Sequence, residues 1–242
     1  MKRILILLFV LSSTLVFASK KPRNYYVRIK TDKGESIVRL YNETPKHRDN
    51  FIKLTKEGFF NKTLFHRVIK GFMIQGGDPD SKNAKPGQML GGGSLSYTIP
   101  AEFDPDLFHK KGALAAARDN NPQKASNASQ FYIVQGKTYT DEELDNIEKY
   151  RLNGYKIPEA ERKVYKTVGG TPFLDQNYTV FGEVVRGMEM VDSIAAVSTD
   201  GNDRPIADVA MHVSLLKKKE AKKLERSLLQ EAFRKNLIMN KH

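Results

Sequence analysis

Alternating apolar and polar side chains dominate the chain between residues 24 and 216, and they predict short β-strands. Residues 25–30 and 36–41 alternate in this way on either side of Thr31-Asp32-Lys33-Gly34, whose residues favour a turn. The chain therefore opens with a predicted hairpin. Further strand-like runs lie at residues 64–69, 72–75, 112–117, 130–134, 178–185 and 209–215.

Helical patterns are fewer. Thr44 can cap a helix that begins at Pro45, carries Phe51 and Leu54 on one face and ends at Gly58. Residues 188–196 have helical spacing of apolar side chains. Many short strands with two such helices favour a closed antiparallel barrel or a sandwich.

Two charged segments stand apart from this pattern. Residues 140–166 are rich in Glu, Lys and Arg and predict a helical insertion between strands, occupying about residues 137–171. Residues 217–242 predict a basic amphipathic C-terminal helix with nine Lys and Arg against three Glu. The insertion could shield a groove, dock a partner or be a solvated helix. The tail could tether the protein to a membrane or an anionic polymer, although a solvated helix packed on the body is favoured.

The N-terminal residues have the organisation of a secretory signal peptide. Lys2 and Arg3 precede an apolar run at residues 4–17, and Ala18 ends it at a position suited to signal peptidase. A membrane anchor is the alternative, but the run is shorter than the ~20 residues that span a bilayer. We expect cleavage after Ala18, a mature protein without a transmembrane segment, and a periplasmic or secreted location.

Composition excludes several kinds of chemistry. The 242 residues contain no cysteine, which rules out disulfides, thiol catalysis and cysteine zinc sites. The five histidines lack metal-ligand spacing, so neither a metal nor a cofactor is expected. The net charge of +12 resides largely in the tail, and nucleic acid is not the expected partner of an exported chain.

One long motif is specific. Residues 65–78, Phe-His-Arg-Val-Ile-Lys-Gly-Phe-Met-Ile-Gln-Gly-Gly-Asp, closely resemble the signature of cyclophilin-type prolyl isomerases. The resemblance continues in family order through residues 97–103, 112–118, 129–133, 173–175 and 178–182. Several ordered blocks are far less expected by chance than one short pattern. The resemblance spans most of residues 25–216.

The resemblance implies an all-β domain over residues 24–216, a closed eight-stranded antiparallel barrel capped by two α-helices. It implies an isomerase that acts on proline-containing segments. Together with the predicted export, it leads us to expect a monomer that acts on unfolded or folded exported proteins. It also implies the site residues: Arg67, Phe72 and Gln75 as catalytic residues, and Met73, Ala117, Arg118, Gln130, Tyr132, Phe173, Leu174 and Tyr178 as peptide-binding residues. Independently of the family, Gln130 and Tyr132 are two apart on a predicted strand and can face the same groove.

The chemistry explains these residue types. Amide resonance opposes rotation with a barrier of ~18–20 kcal/mol, and uncatalysed X-Pro exchange takes about tens to hundreds of seconds. Rotation localises the lone pair on the proline nitrogen, so a fixed guanidinium binds the twisted state more strongly than either planar state. A charge-assisted hydrogen bond is worth ~1.5–3 kcal/mol, so an apolar pocket must assist Arg67. We expect the Gln75 amide to orient that guanidinium.

Departures from the family pattern concern selectivity. Phe173 and Tyr178 stand where many cyclophilins have tryptophan and histidine, which predicts weak cyclosporin binding. Lys70 and Arg118 replace a common proline and asparagine, which affects the expected substrate preference. Residues 91–94, Gly-Gly-Gly-Ser, predict a loop beside the groove. The competing hypothesis is a module or holdase that binds proline segments without turnover.

Overall fold

The computed structural model describes residues 23–239. The predicted signal peptide, residues 1–18, lies outside the described range. Eight strands form one antiparallel sheet in the order β10-β1-β2-β9-β6-β8-β4-β3. Their bounds are Tyr25–Thr31 (β1), Gly34–Leu40 (β2), Phe65–Ile69 (β3), Met73–Gly76 (β4), Ala113–Ala116 (β6), Phe131–Val134 (β8), Val180–Arg186 (β9) and His212–Leu215 (β10); Thr98–Ile99 (β5) and Ser126–Asn127 (β7) form a separate small ladder.

The sheet is a curled, open half-barrel, so the predicted closed barrel is not confirmed. Its edge strands β3 and β10 share no ladder in residues 23–239; Leu64 and Ala210, which precede these two strands, form one isolated bridge. The reason lies in the chain before β10. The amide of Val68 donates to the carbonyl of Asp203 at 2.8 Å, but Asp203 belongs to a turn and not to a strand. Irregular backbone therefore occupies the place where a closing ladder would form.

The central strands are buried on both faces. In β8, Phe131 and Ile133 belong to the large core inside the curled sheet, whereas Tyr132 and Val134 belong to a smaller cluster on its outer face. Neighbouring strands divide in the same way, since Ile74 lies inside and Met73 outside. The period-two geometry of a strand causes this division. It gives the sheet a second apolar surface, on which the candidate site lies.

Two helices cover the large core, α1 (Pro45–Lys56) and α4 (Met188–Ala195). Gly58 follows α1 with a φ of 67°, as predicted for the end of this helix. The predicted cap was wrong, because Thr44 makes no side-chain capping bond. The Glu102 carboxylate instead accepts the amides of Lys46 and His47, each at 3.0 Å. An acceptor distant in sequence thus satisfies the first turn.

Two further helices, α2 (Asp141–Tyr150) and α3 (Glu159–Thr167), lie between β8 and β9. Thr140 and Glu143 form a capping box at the start of α2. The buried Glu148 carboxylate accepts from Lys156 at 2.6 Å and from Arg162 at 2.9 Å. These contacts join the two helices into one unit around a cluster of their own, which includes Leu144 and Tyr165.

Glu161 on α3 gives this unit a predicted pH dependence. Burial, together with repulsion from Asp175 and Asp106, raises the pKa of its carboxyl from 4.5 to about 7. Because the pKa of this carboxyl is higher in the folded state than in the unfolded state, its ionisation destabilises the fold. The free energy of unfolding should therefore fall by roughly 3 kcal/mol as the pH rises from about 4.5 to about 7. Urea unfolding of wild type and Glu161→Gln at several pH values measures the difference.

The Glu161→Gln variant should lack this component, while Glu159→Gln, at an exposed position on the same helix, should retain it. Parallel stability curves for wild type and Glu161→Gln from pH 4 to pH 8 would contradict the assignment.

The C-terminal helix α5 spans Lys218–Met239. Its first half packs on the sheet through Leu224, which joins a cluster with Tyr26 and Ile37. Arg186 on β9 donates to Glu231 at 2.8 Å, while Leu229 is exposed. In residues 23–239, every helix is too short or too polar to span a bilayer.

Candidate functional site

The register of the sheet places a row of predicted site residues on one face. Arg67 on β3 lies opposite Gln75 on β4, and Gln75 lies opposite Tyr132 on β8. Ala115 on β6 continues the row opposite Tyr132. Directly opposed residues in antiparallel strands share a face and have Cβ atoms about 5 Å apart. The consecutive strands β3 and β4 and the distant strand β8 therefore bring a cation, an amide and an aromatic ring together.

A cavity of about 340 Å³ opens over this row. Ten predicted residues line it: Arg67, Phe72, Met73, Gln75, Ala117, Arg118, Gln130, Tyr132, Leu174 and Tyr178. Phe173 is not among the lining residues. Its ring lies 5.6 Å from the ring of Phe72 and 5.3 Å from the guanidinium of Arg151, so it supports a wall from behind.

Arg67 lies at the solvent-facing side of the cavity. Its side chain is 43% exposed, and its Nε lies 3.5 Å from a carboxylate oxygen of Asp203. An ion pair of this exposure contributes about 0–1 kcal/mol. Asp203 can therefore restrain the guanidinium without preventing it from binding a ligand.

Gln75 has a different partner from the one expected. Its Nε2 donates to Oε1 of Gln130 at 3.0 Å, and in the described part of the chain it forms no hydrogen bond with Arg67. Nε2 of Gln130 in turn donates to the carbonyls of Gly91 at 2.9 Å and Gly93 at 2.7 Å. The two amides thus attach the glycine-rich loop to the sheet. Gly91 lines the cavity, so the predicted position of this loop beside the groove is confirmed.

Two further arginines fix other parts of the cavity wall. Arg118 donates from Nε to the carbonyl of Asn177 at 2.8 Å, and its guanidinium lies 4.7 Å from the ring centre of Tyr178. Arg204 is buried and donates to the carbonyls of Lys85 and Gln88, and to Asp208 at 2.8 Å. The first arginine fixes Tyr178, and the second fixes the loop that carries Gln88.

Burial dominates the electrostatics of the pocket floor. It raises the pKa of the Tyr132 hydroxyl well above its usual value, so the group stays protonated at neutral pH. Burial likewise lowers the pKa of His66, whose two ring nitrogens have no hydrogen-bond partner among residues 23–239. The site therefore combines the cations Arg67 and Arg118 with a floor on which Tyr132 and His66 are uncharged at neutral pH. In the same range, no group of three or more His, Cys, Asp or Glu side chains could hold a metal ion.

Comparison with known proteins identifies the family. The model of the cyclophilin type peptidyl-prolyl cis-trans isomerase/CLD family matches residues 26–214. The chain belongs to this family. Its members are peptidyl-prolyl cis-trans isomerases, and this cyclophilin is an enzyme of that class.

Sequence relatives agree with the assignment. A Staphylococcus haemolyticus protein named as a peptidyl-prolyl cis-trans isomerase is 36% identical over 186 residues, covering 76% of this chain and 87% of that protein. A Staphylococcus aureus protein of the same name is 36% identical over 182 residues, covering 75% and 86%.

A solved structure supports the fold. A cyclophilin type peptidyl-prolyl cis-trans isomerase from Cryptosporidium parvum matches with a TM-score of 0.61 at 24% identity, covering 81% of this chain and 99% of that chain.

Several residues that shape the pocket of this cyclophilin were not predicted. Asp200, Asn202 and Arg204 line the cavity, and Asp203 pairs with Arg67, although all four follow Arg67 by more than 130 residues. The turn-forming composition of residues 200–203 is a signal for a loop, but nothing local relates that loop to β3. His109, which binds the Tyr132 hydroxyl at 2.9 Å, was also missed.

Proposed function

We propose that this cyclophilin accelerates X-Pro rotation without covalent chemistry, with Arg67, Phe72 and Gln75 as catalytic residues. The observation that carries the proposal is the row from Arg67 through Gln75 to Tyr132, which sets a guanidinium beside an apolar pocket. The proline ring enters between Phe72, Met73 and Leu174. Arg67 then donates to the pyramidal imide nitrogen.

The required lowering of the rotation barrier is consistent with separate contributions from Arg67 and from the apolar pocket. Raising the exchange rate by about four decades requires ~5–6 kcal/mol of barrier lowering. A charge-assisted hydrogen bond supplies ~1.5–3 kcal/mol. The remainder comes from holding the ring and excluding water, which disfavours the more polar planar amide. Gln75 acts through Gln130 and the glycine-rich loop, and so sets the width of the groove rather than the direction of the guanidinium.

Exchange NMR on an Ala-Pro peptide tests the proposal. Purified protein at substoichiometric concentration should produce exchange cross-peaks between the cis and trans forms on a subsecond timescale, while the peptide alone should not. Line broadening without cis/trans cross-peaks would indicate binding without turnover, and it would overturn the catalytic proposal.

We further propose that the enzyme is exported and acts on exported proteins. The support is the pattern of Lys2, Arg3 and the apolar run at residues 4–17. Expression of the full chain in a bacterial host, followed by N-terminal sequencing of the periplasmic fraction, should give a mature protein that begins at Ser19. Recovery only in the cytoplasm with Lys2 and Arg3 retained would refute export.

Weak cyclosporin binding is expected from the position of Phe173. The ring packs behind Phe72 and supplies neither the indole area nor the N–H donor that tryptophan would offer. Inhibition of turnover should therefore require more than micromolar drug, and Phe173→Trp should lower the required concentration. Sub-micromolar inhibition of the wild type would contradict this prediction.

A further inference from the structure

A chain of buried hydrogen bonds runs from the pocket to the insertion. The Tyr132 hydroxyl lies 2.9 Å from Nε2 of His109, and Nδ1 of His109 lies 2.8 Å from Oδ1 of Asp175. The hydroxyl of Tyr165, on α3, lies 2.6 Å from the other carboxylate oxygen of Asp175. All four residues are at most 4% exposed. Three hydrogen bonds in series thus connect helix α3 to a wall of the proline pocket.

The donors and acceptors of this chain fit a continuous arrangement that begins at the Asp175 carboxylate. A carboxylate only accepts, so Asp175 accepts hydrogen bonds from the Tyr165 hydroxyl, the His109 ring and the His109 amide, the last at 2.9 Å. With its ring proton on Nδ1, His109 leaves Nε2 as the acceptor for the Tyr132 hydroxyl. Turning the Tyr132 ring away would leave a buried acceptor unpaired, and such a group costs ~1–3 kcal/mol.

The same carboxylate also fixes a second part of the pocket. Asp175 directly follows Leu174, which lines the cavity. The amide of Thr171 donates to the carbonyl of His109 at 2.8 Å, so the turn that carries Leu174 is attached to the His109 loop from both sides. One buried group therefore holds the ring of Tyr132 and the backbone beside Leu174 in a fixed relation.

We propose that His109, Asp175 and Tyr165 are positioning residues for the proline pocket, which makes α3 part of the catalytic scaffold. This inference rests on the proposed function. The pocket stabilises the twisted imide only while its walls stay fixed relative to Arg67. A peptide can still bind to a loosened pocket. Loss of a bond in the chain should therefore lower kcat more than it raises KM.

A double-mutant cycle tests the proposal with Tyr132→Phe, Tyr165→Phe and the double variant. Tyr165→Phe should lower kcat/KM for an Ala-Pro peptide about fivefold to tenfold, chiefly through kcat, although Tyr165 is not among the residues that line the cavity. Tyr132→Phe should have a similar effect. The double variant should lose little more than either single variant, because both changes interrupt one chain.

Tyr139→Phe is the matched control. Tyr139 belongs to the same cluster as Tyr165, and its hydroxyl has no hydrogen-bond partner among the described residues. It should retain wild-type kcat/KM. Losses from Tyr132→Phe and Tyr165→Phe that multiply in the double variant would overturn the proposal, as would a Tyr165→Phe enzyme with wild-type kcat/KM.

Nitrogen-15 NMR of the wild type provides a test that requires neither turnover nor a variant. The His109 ring should show the Nδ1–H tautomer, and an Nε2–H tautomer would refute the chain. A wild type without turnover would overturn this inference and the proposed function together. An active wild type with an unaffected Tyr165→Phe variant would overturn the positioning role alone.

Discussion

Replacing Arg67 with alanine is expected to lower kcat/KM for an Ala-Pro peptide about 100-fold or more, the scale on which loss of one preorganised donor reduces catalysis. Stability should change by less than about 0.5 kcal/mol, because the side chain is 43% exposed and its ion pair with Asp203 is weak. A protease-coupled isomerisation assay measures the first quantity, and urea unfolding measures the second. Arg67→Lys should recover only part of the rate, since an ammonium lacks the planar fork of donors.

Arg186→Ala is the control for this experiment. Arg186 is also a strand arginine, is 47% exposed and pairs with Glu231, but it does not line the cavity. Its removal should leave the rate unchanged. Equal rates for wild type and Arg67→Ala would defeat the catalytic role of Arg67 and leave a protein that binds proline segments.

Replacing Phe131 with alanine is expected to destabilise the fold by ~3–5 kcal/mol, the usual cost of truncating a buried phenylalanine. Its ring is 1% exposed and meets the rings of Phe51 at 5.4 Å and Phe60 at 5.6 Å edge to face. Domains of ordinary stability have 5–15 kcal/mol in total. The midpoint of urea unfolding should therefore fall sharply.

Leu229→Ala provides the comparison, because this leucine is 71% exposed and its truncation should cost less than about 0.5 kcal/mol. A change at Phe131 no larger than the change at Leu229 would show that the aromatic cluster does not carry the core.

The strands and most residues that line the pocket were predictable because alternation and motif blocks are visible within short stretches of sequence. A period of two is visible along residues 130–134, and Gln130 and Tyr132 do reach one cavity as their spacing requires. Family resemblance then related Arg67 to residues far along the chain. Neither signal placed Phe173 behind Phe72, where its ring also lies against the guanidinium of Arg151 in the insertion.

The remaining differences arise from contacts between distant segments. Glu102 rather than Thr44 caps α1 because a loop brings its carboxylate to the helix, and no pattern near Thr44 records that approach. Closure of the barrel depends on how residues 203–211 meet β3, which alternation within either segment does not specify. Gln75 bonds to Gln130, whose own amide is held by the carbonyls of the glycine-rich loop, a segment that lies far from β4 in the sequence.

Because β8 is buried on both faces, its register against β4 determines both the packing of the core and the lining of the groove. A slip of one residue against β4 would turn Phe131 outward and Tyr132 inward, so the interior and the groove would be lost in one step. Misregistered chains can therefore be neither stable nor active. During refolding, catalytic activity should therefore return together with the native core. A compact intermediate with a different register of β8 against β4 would not have a functional groove.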